Sequence, residues 1–156
     1  MRNKQKGFSL IELLIVVAII LIIAAIAIPN LLRSKIAANQ ASAVGSLRSL
    51  NTACIAYSTS YGTFPTALTN LGPIGSSGTA SSTSADLIDS VLAAGTKSGY
   101  TFVYTAGSSN QSYTITATPI TAATTGQNMY YTDQSGVIRS DTSGSGAGSA
   151  STPIGN

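Results

Sequence analysis

The sequence predicts an α+β fold. A long N-terminal α-helix, membrane-spanning in its first half and amphipathic in its second, packs on a small antiparallel β-sheet. Three observations predict it. Residues 8–28 are apolar almost throughout, residues 32–61 repeat apolar side chains at helical spacing, and beyond residue 100 the apolar period falls to two.

The first element is the stretch "KGFSLIELLIVVAIILIIAAIAIPN", residues 6–30. From Phe8 to Ile28 only Ser9 and Glu12 are polar. Those 21 residues span about 31 Å as a helix, the thickness of a bilayer hydrocarbon core. Fifteen of them are Leu, Ile, Val or Phe, worth about −5 to −9 kcal/mol on insertion, whereas one central acid costs about 3 kcal/mol and an off-centre one less. Insertion wins. Arg2, Lys4 and Lys6 in the basic segment 1–7 place the N-terminus in the cytoplasm by the positive-inside rule. A secretory signal peptide is the rival reading, supported by the triplet Ala25-Ile26-Ala27, and a simple membrane anchor is another. The long apolar run and the carboxylate at Glu12 count against the signal peptide.

The segment 8–29 ends at Pro29, which lacks an amide proton and is expected to kink or loosen the helix. Beyond it, over 30–62, Leu32, Ile36, Ala43, Leu47, Leu50, Cys54, Tyr57 and Tyr61 recur at intervals of three, four or seven. They form one apolar stripe, from which Arg33, Lys35 and Arg48 are excluded. Cys54 on that stripe reads as a buried core residue.

The head spans 63–139. Gly62 and Pro65 end the helix, and "IGSSGTASSTS" reads as an exposed loop. Ser84 is the expected cap of a short helix, "ADLIDSVLAAG", stopped by Gly95 and burying Leu87, Ile88, Val91 and Leu92. "YTFVYT" (100–105) and "SYTITAT" (112–118) alternate and read as a hairpin. "NMYYT" (128–132), the turn "DQSG" and "VIR" (137–139) read as a second, for three to four strands in all. Residues 140–156, rich in Ser and Gly, read as a flexible tail.

Composition narrows the function. Charged residues make up 8% of the 156, against about 25% in a typical soluble domain. Beyond residue 7 five bases face five acids, so the isoelectric point near 9.2 describes the N-terminal segment and not a surface for nucleic acid. A near-neutral body repels its own copies weakly. There is no histidine and one cysteine, which removes internal disulfides, His- or Cys-rich zinc sites and His-paired nucleophiles. No enzymatic activity and no cofactor are expected. Asp133 and Asp141 offer a weak calcium reading beside the ordinary one of turn-forming aspartates. The seven tyrosines read as core packing.

Residues 6–30 closely resemble the signature of type IV pilins and type II secretion pseudopilins: Lys6, Gly7, Phe8, Glu12, and an apolar helix running to Pro29. The resemblance implies cleavage between Gly7 and Phe8 by a prepilin peptidase, N-methylation of Phe8, and polymerisation through the apolar helix. Glu12 then neutralises the new amine, and Glu12 and Pro29 serve assembly. The implied partners are further copies of the chain, the peptidase, an inner-membrane platform and ATPase, and membrane lipid before assembly. The implied location is the bacterial inner membrane, then an extracellular pilus or a periplasmic pseudopilus. The absence of a second cysteine and of a D-P-W-G-x-P-Y motif leaves both a pilus and a pseudopilus open, with "YYTDQSGVIR" leaning towards the pilus. A membrane-anchored or secreted ligand-binding α+β domain is the alternative of another class.

Overall fold

The computed structural model describes residues 7–75 and 78–155, so the basic residues 1–6 lie outside the described residues. The chain divides into two units, one ending at Lys35 and one beginning at Ile36. One element, α1 (Leu10–Tyr61), contributes to both.

In the first unit α1 carries apolar side chains on every face, and those from Leu10 to Ile28 are exposed. A helix that is apolar all round calls for an apolar environment. It is long and apolar enough to cross a membrane. Pro29 sits inside the helix and does not end it. Without an N–H at Pro29, the carbonyl of Ala25 loses its helical donor.

The second unit packs the remainder of α1 on a six-stranded antiparallel sheet in which every strand neighbours the next in sequence. The strands are β1 (Thr96–Lys97), β2 (Tyr100–Ala106), β3 (Tyr113–Pro119), β4 (Met129–Asp133), β5 (Arg139–Asp141) and β6 (Thr152–Pro153). The two-residue period of β3 sends Tyr113, Ile115 and Ala117 inward, and β2 adds Tyr100 and Phe102. These meet Ala43, Leu47, Leu50, Cys54 and Tyr57 of α1, with Leu68, Leu71 and Leu92 closing the core. The stripe is therefore the buried face of α1 from Ile36 to Tyr57, whereas Leu32 and Tyr61 are exposed. Tyr61, on the last turn, lies against Tyr57 with ring centroids 4.6 Å apart.

Three expectations are corrected. The short helix α2 covers only Ser90–Ala93, capped by Asp89, whose carboxylate accepts the Leu92 N–H, and not by Ser84. Residues 85–88 are instead held by backbone bonds to the 3-10 turn Leu68–Leu71 and Gly72, and Asp86 takes a left-handed φ of 57° that no helix tolerates. Consequently Leu87 and Val91 are exposed. Second, the strand placed at 137–139 begins at Arg139, after a turn closed by the Gly136 N–H on the Asp133 carbonyl at 2.9 Å. Third, the segment read as a flexible tail completes β5 and supplies β6, and its Ile154 N–H donates to the Ile138 carbonyl at 2.9 Å. Pairing with an open sheet edge outweighs the tail's unfavourable composition.

Candidate processing and assembly site

Gly7, Phe8 and Ser9 precede the helix and are exposed. Helix α1 begins at Leu10, which makes Ser9 the N-cap and Glu12 the third helical residue. The Ser9 backbone N–H donates to the Glu12 carboxylate at 2.9 Å, and the Leu13 N–H donates to the Ser9 carbonyl at 3.2 Å. This is the acidic half of a capping box, a side chain folded back onto a donor that the helix leaves unpaired. The helix dipole favours a negative charge in the same turn.

The arrangement gives Glu12 a role that the sequence reading missed. The signal was present as the S-x-x-E spacing of Ser9 and Glu12. The carboxylate stands one residue from the peptide bond that links Gly7 to Phe8. It has a second oxygen and spare lone pairs for a further donor. Gly7 has open space around it. Of the residues singled out from the sequence, Glu12 sits in the first turn of α1, and Gly7 and Phe8 lie just before the helix. Pro29 lies seventeen residues past Glu12, about 26 Å along the helix.

The two C-terminal aspartates are not brought together. Thr114 on β3 faces Asp133, and Met129 at the other end of β4 faces Asp141, which separates the acids by about 13 Å. Asp133 accepts the Ser135 N–H at 2.9 Å; partial burial raises its carboxyl, but the bonds from Ser135 and Tyr131 and the charge of Arg139 together outweigh it and hold it below the ordinary range. Asp141 accepts the N–H groups of Ser143 at 3.0 Å and Gly146 at 3.2 Å, and these bonds lower its pKa likewise. Among the described residues, no three His, Cys, Asp or Glu side chains gather as metal ligands do. Cys54 is buried in the core, and burial pushes its thiol up to about 12, far from the range of a reactive thiolate.

Comparison with known proteins places the chain's start in a known class. Residues 2–28 match the model of the prokaryotic N-terminal methylation motif. The chain is 52% identical over 50 residues to the type IV major pilin protein PilA of Myxococcus xanthus, covering 32% of this chain and 23% of that one. It is 67% identical over 39 residues to the type IV wide pilus major component PilA4 of Thermus thermophilus, covering 25% and 29%. It is 30% identical over 74 residues to the type II secretion system core protein G of Dickeya chrysanthemi, covering 47% and 48%. The chain thus spans between 23% and 48% of the length of these curated relatives.

Proposed function

We propose that this chain is a structural subunit of a type IV pilus-like filament. A prepilin peptidase cuts between Gly7 and Phe8, Phe8 is methylated on its new amine, and the subunits polymerise through the apolar part of α1. Before assembly the helix lies in the inner membrane with Arg2, Lys4 and Lys6 on the cytoplasmic side. An assembly ATPase and platform protein supply the work of extraction.

The observation that carries this reading is the Ser9–Glu12 bond at the start of an all-round apolar helix. Cutting after Gly7 exchanges a neutral peptide for a cation one residue upstream of Ser9. In a packed bundle of apolar helices that cation needs an anion, because an unpaired charge in a dry core costs several kcal/mol. Glu12 is the acid of the apolar segment, and its carboxylate is already turned towards that end. Once paired, it also fixes the axial position of one helix against the next. Pro29, with a freed carbonyl at Ala25, gives the helix a place to bend as it packs.

A second reading, a pseudopilin of a type II secretion system, is favoured by the match to core protein G, which reaches 47% of this chain. Greater identity to the two pilus proteins favours the pilus.

Intact-mass and N-terminal analysis of protein from membranes and from sheared surface material tests the proposal. The expected chain starts at a methylated Phe8 and occurs in filaments. A chain that keeps Met1, or one that starts at Ile28, would overturn it and favour an anchored or secreted binding domain.

A further inference from the structure

Two surface features of the second unit are left without a use by its own packing. The first is an exposed apolar pair. Leu87 is 40% and Val91 53% exposed. They are held in place by the backbone bonds of residues 85–88 and by the Asp89 cap of α2. Beside them is Asp86, exposed, with no salt bridge among the described residues. The second is a groove of about 360 Å³ walled by Val137, Ile138, Pro153 and Ile154 and by the more polar Ser135 and Gly136, with Arg48 at its side. The Arg48 guanidinium has no ion pair among the described residues either. An apolar cavity of about 150 Å³ already admits benzene, so this groove has room for two aliphatic side chains.

The features lie on opposite flanks of the exposed ridge of α1. Leu87 stands over the side of Ser49 and Ala53, in a hollow that Arg48, on the ridge between the two features, also lines. Gly136, at the groove, accepts from Asn51 on the other side at 3.3 Å. One feature is a knob with an acid and the other a groove with a base, and the two belong to one chain. A contact between them is not self-complementary: each copy offers a knob to one neighbour and a groove to another. Such heterologous contacts propagate into rings or open helices.

We propose that the Asp86–Leu87–Val91 knob of one copy seats in the Arg48–Val137–Ile154 groove of the next, forming the contact between the α+β units of the filament. The inference rests on the assembly reading above and gives it a specific partner surface. Leu87 and Val91 supply the buried area, and the pairing of Asp86 with Arg48 sets which surfaces meet.

The test uses the full chain in the cells that produce it. In a Val91→Cys, Val137→Cys double variant, mild oxidation of surface filaments is expected to give a ladder of disulfide-linked multimers on a non-reducing gel. Neither single variant should give one, and Cys54 is buried throughout. In parallel, Asp86→Lys and Arg48→Glu should each lower sheared-filament yield about fivefold or more, and their combination should restore it. Filaments of the double-cysteine variant that give no ladder, with no response of yield to charge reversal, would overturn the contact and leave the assembly reading standing. Linked dimers in either single variant would also overturn it, since they report a symmetric contact. A wild-type chain that makes no filament at all would overturn both.

Discussion

The side-chain amide of Asn51 on α1 donates to the hydroxyl of Thr132 on β4 at 2.8 Å, across 81 positions of sequence. The same amide reaches the Gly136 carbonyl at 3.3 Å, and Tyr113 on β3 donates its hydroxyl to the Asn51 carbonyl oxygen at 3.1 Å. Asn51, Thr132 and Tyr113 are all buried. One polar side chain thus ties the helix to two strands and a turn, fixing how α1 sits on the sheet where apolar contacts alone would let it slide.

Replacing Asn51 with Ala leaves the Tyr113 and Thr132 hydroxyls buried without partners. The expected loss is about 2 to 3 kcal/mol, read as a lower melting temperature of the full chain in detergent. Combined with Thr132→Val, the loss should be smaller than the sum of the two, because both changes break one bond. Strict additivity would show that the network does not couple helix and sheet.

Gly126 packs against the ring of Tyr100, whose hydroxyl donates to the Asn128 carbonyl at 2.9 Å. A Cβ at 126 would overlap the Tyr100 ring, and that ring is fully buried. Gly126→Ala is therefore expected to cost about 1 to 3 kcal/mol. Gly75→Ala, in open space, is the control and should leave the melting temperature unchanged. Equal stability of the two variants would mean that the loop 120–128 moves away at little cost.

Burial raises the Cys54 thiol from 9.0 to about 12 and the Tyr100 phenol from 10.0 to about 12, and Tyr104 and Tyr113 are pushed up as well. Between about pH 9 and 12 the unfolded chain has released protons that the folded chain keeps. Stability is therefore full below pH 9 and falls as pH rises through that window, by up to about 1.4 kcal/mol per pH unit for each such group. Melting temperatures across pH 7 to 11 check this. Cys54→Ala lowers the whole curve through lost packing but should flatten its descent between pH 9 and 10. An unchanged slope would show that Cys54 is not the first group to act.

How much of this was legible in the sequence follows from what carries each signal. The apolar run to Ile28, the stripe from Ile36 to Tyr57 and the alternation of Tyr113, Ile115 and Ala117 are periodic over many residues, and tertiary structure preserved them. The segment 85–95 had helix-like spacing too, but the decisive event there is Asp86 in a left-handed conformation, bonded to a turn fourteen residues earlier. No local pattern announces such a partner. The two short strands at the C-terminal edge are likewise made by what they pair with, since Ser140, Asp141 and Pro153 carry little intrinsic preference for a strand and Thr152 alone favours one. At the candidate site, Gly7, Phe8 and Glu12 were legible as a contiguous motif. The Ser9 bond to Glu12 was legible as S-x-x-E, yet it was masked by the stronger reading of Glu12 as a charge partner for Phe8.

That overlap makes Glu12 separable by substitution. Glu12→Gln keeps an oxygen that can accept the Ser9 N–H and removes the charge, whereas Glu12→Leu removes both. Neither change weakens insertion of the helix, because each replaces a costly group in the apolar run. If the carboxylate serves mainly as a helix cap, Gln should support near-normal filament yield and Leu should not, with a difference of about 1 kcal/mol in helix stability. If it neutralises the amine of Phe8 in a dry filament core, both variants leave a buried cation alone, at a cost of about 3 to 5 kcal/mol, and both should lose filaments. The second outcome is expected. Mass analysis of the membrane fraction and electron microscopy of sheared material read the two steps apart: chains present in the membrane, filaments missing for Gln and Leu alike. Filaments at wild-type yield from Glu12→Gln would remove the charge from the mechanism and leave Glu12 as the cap of α1.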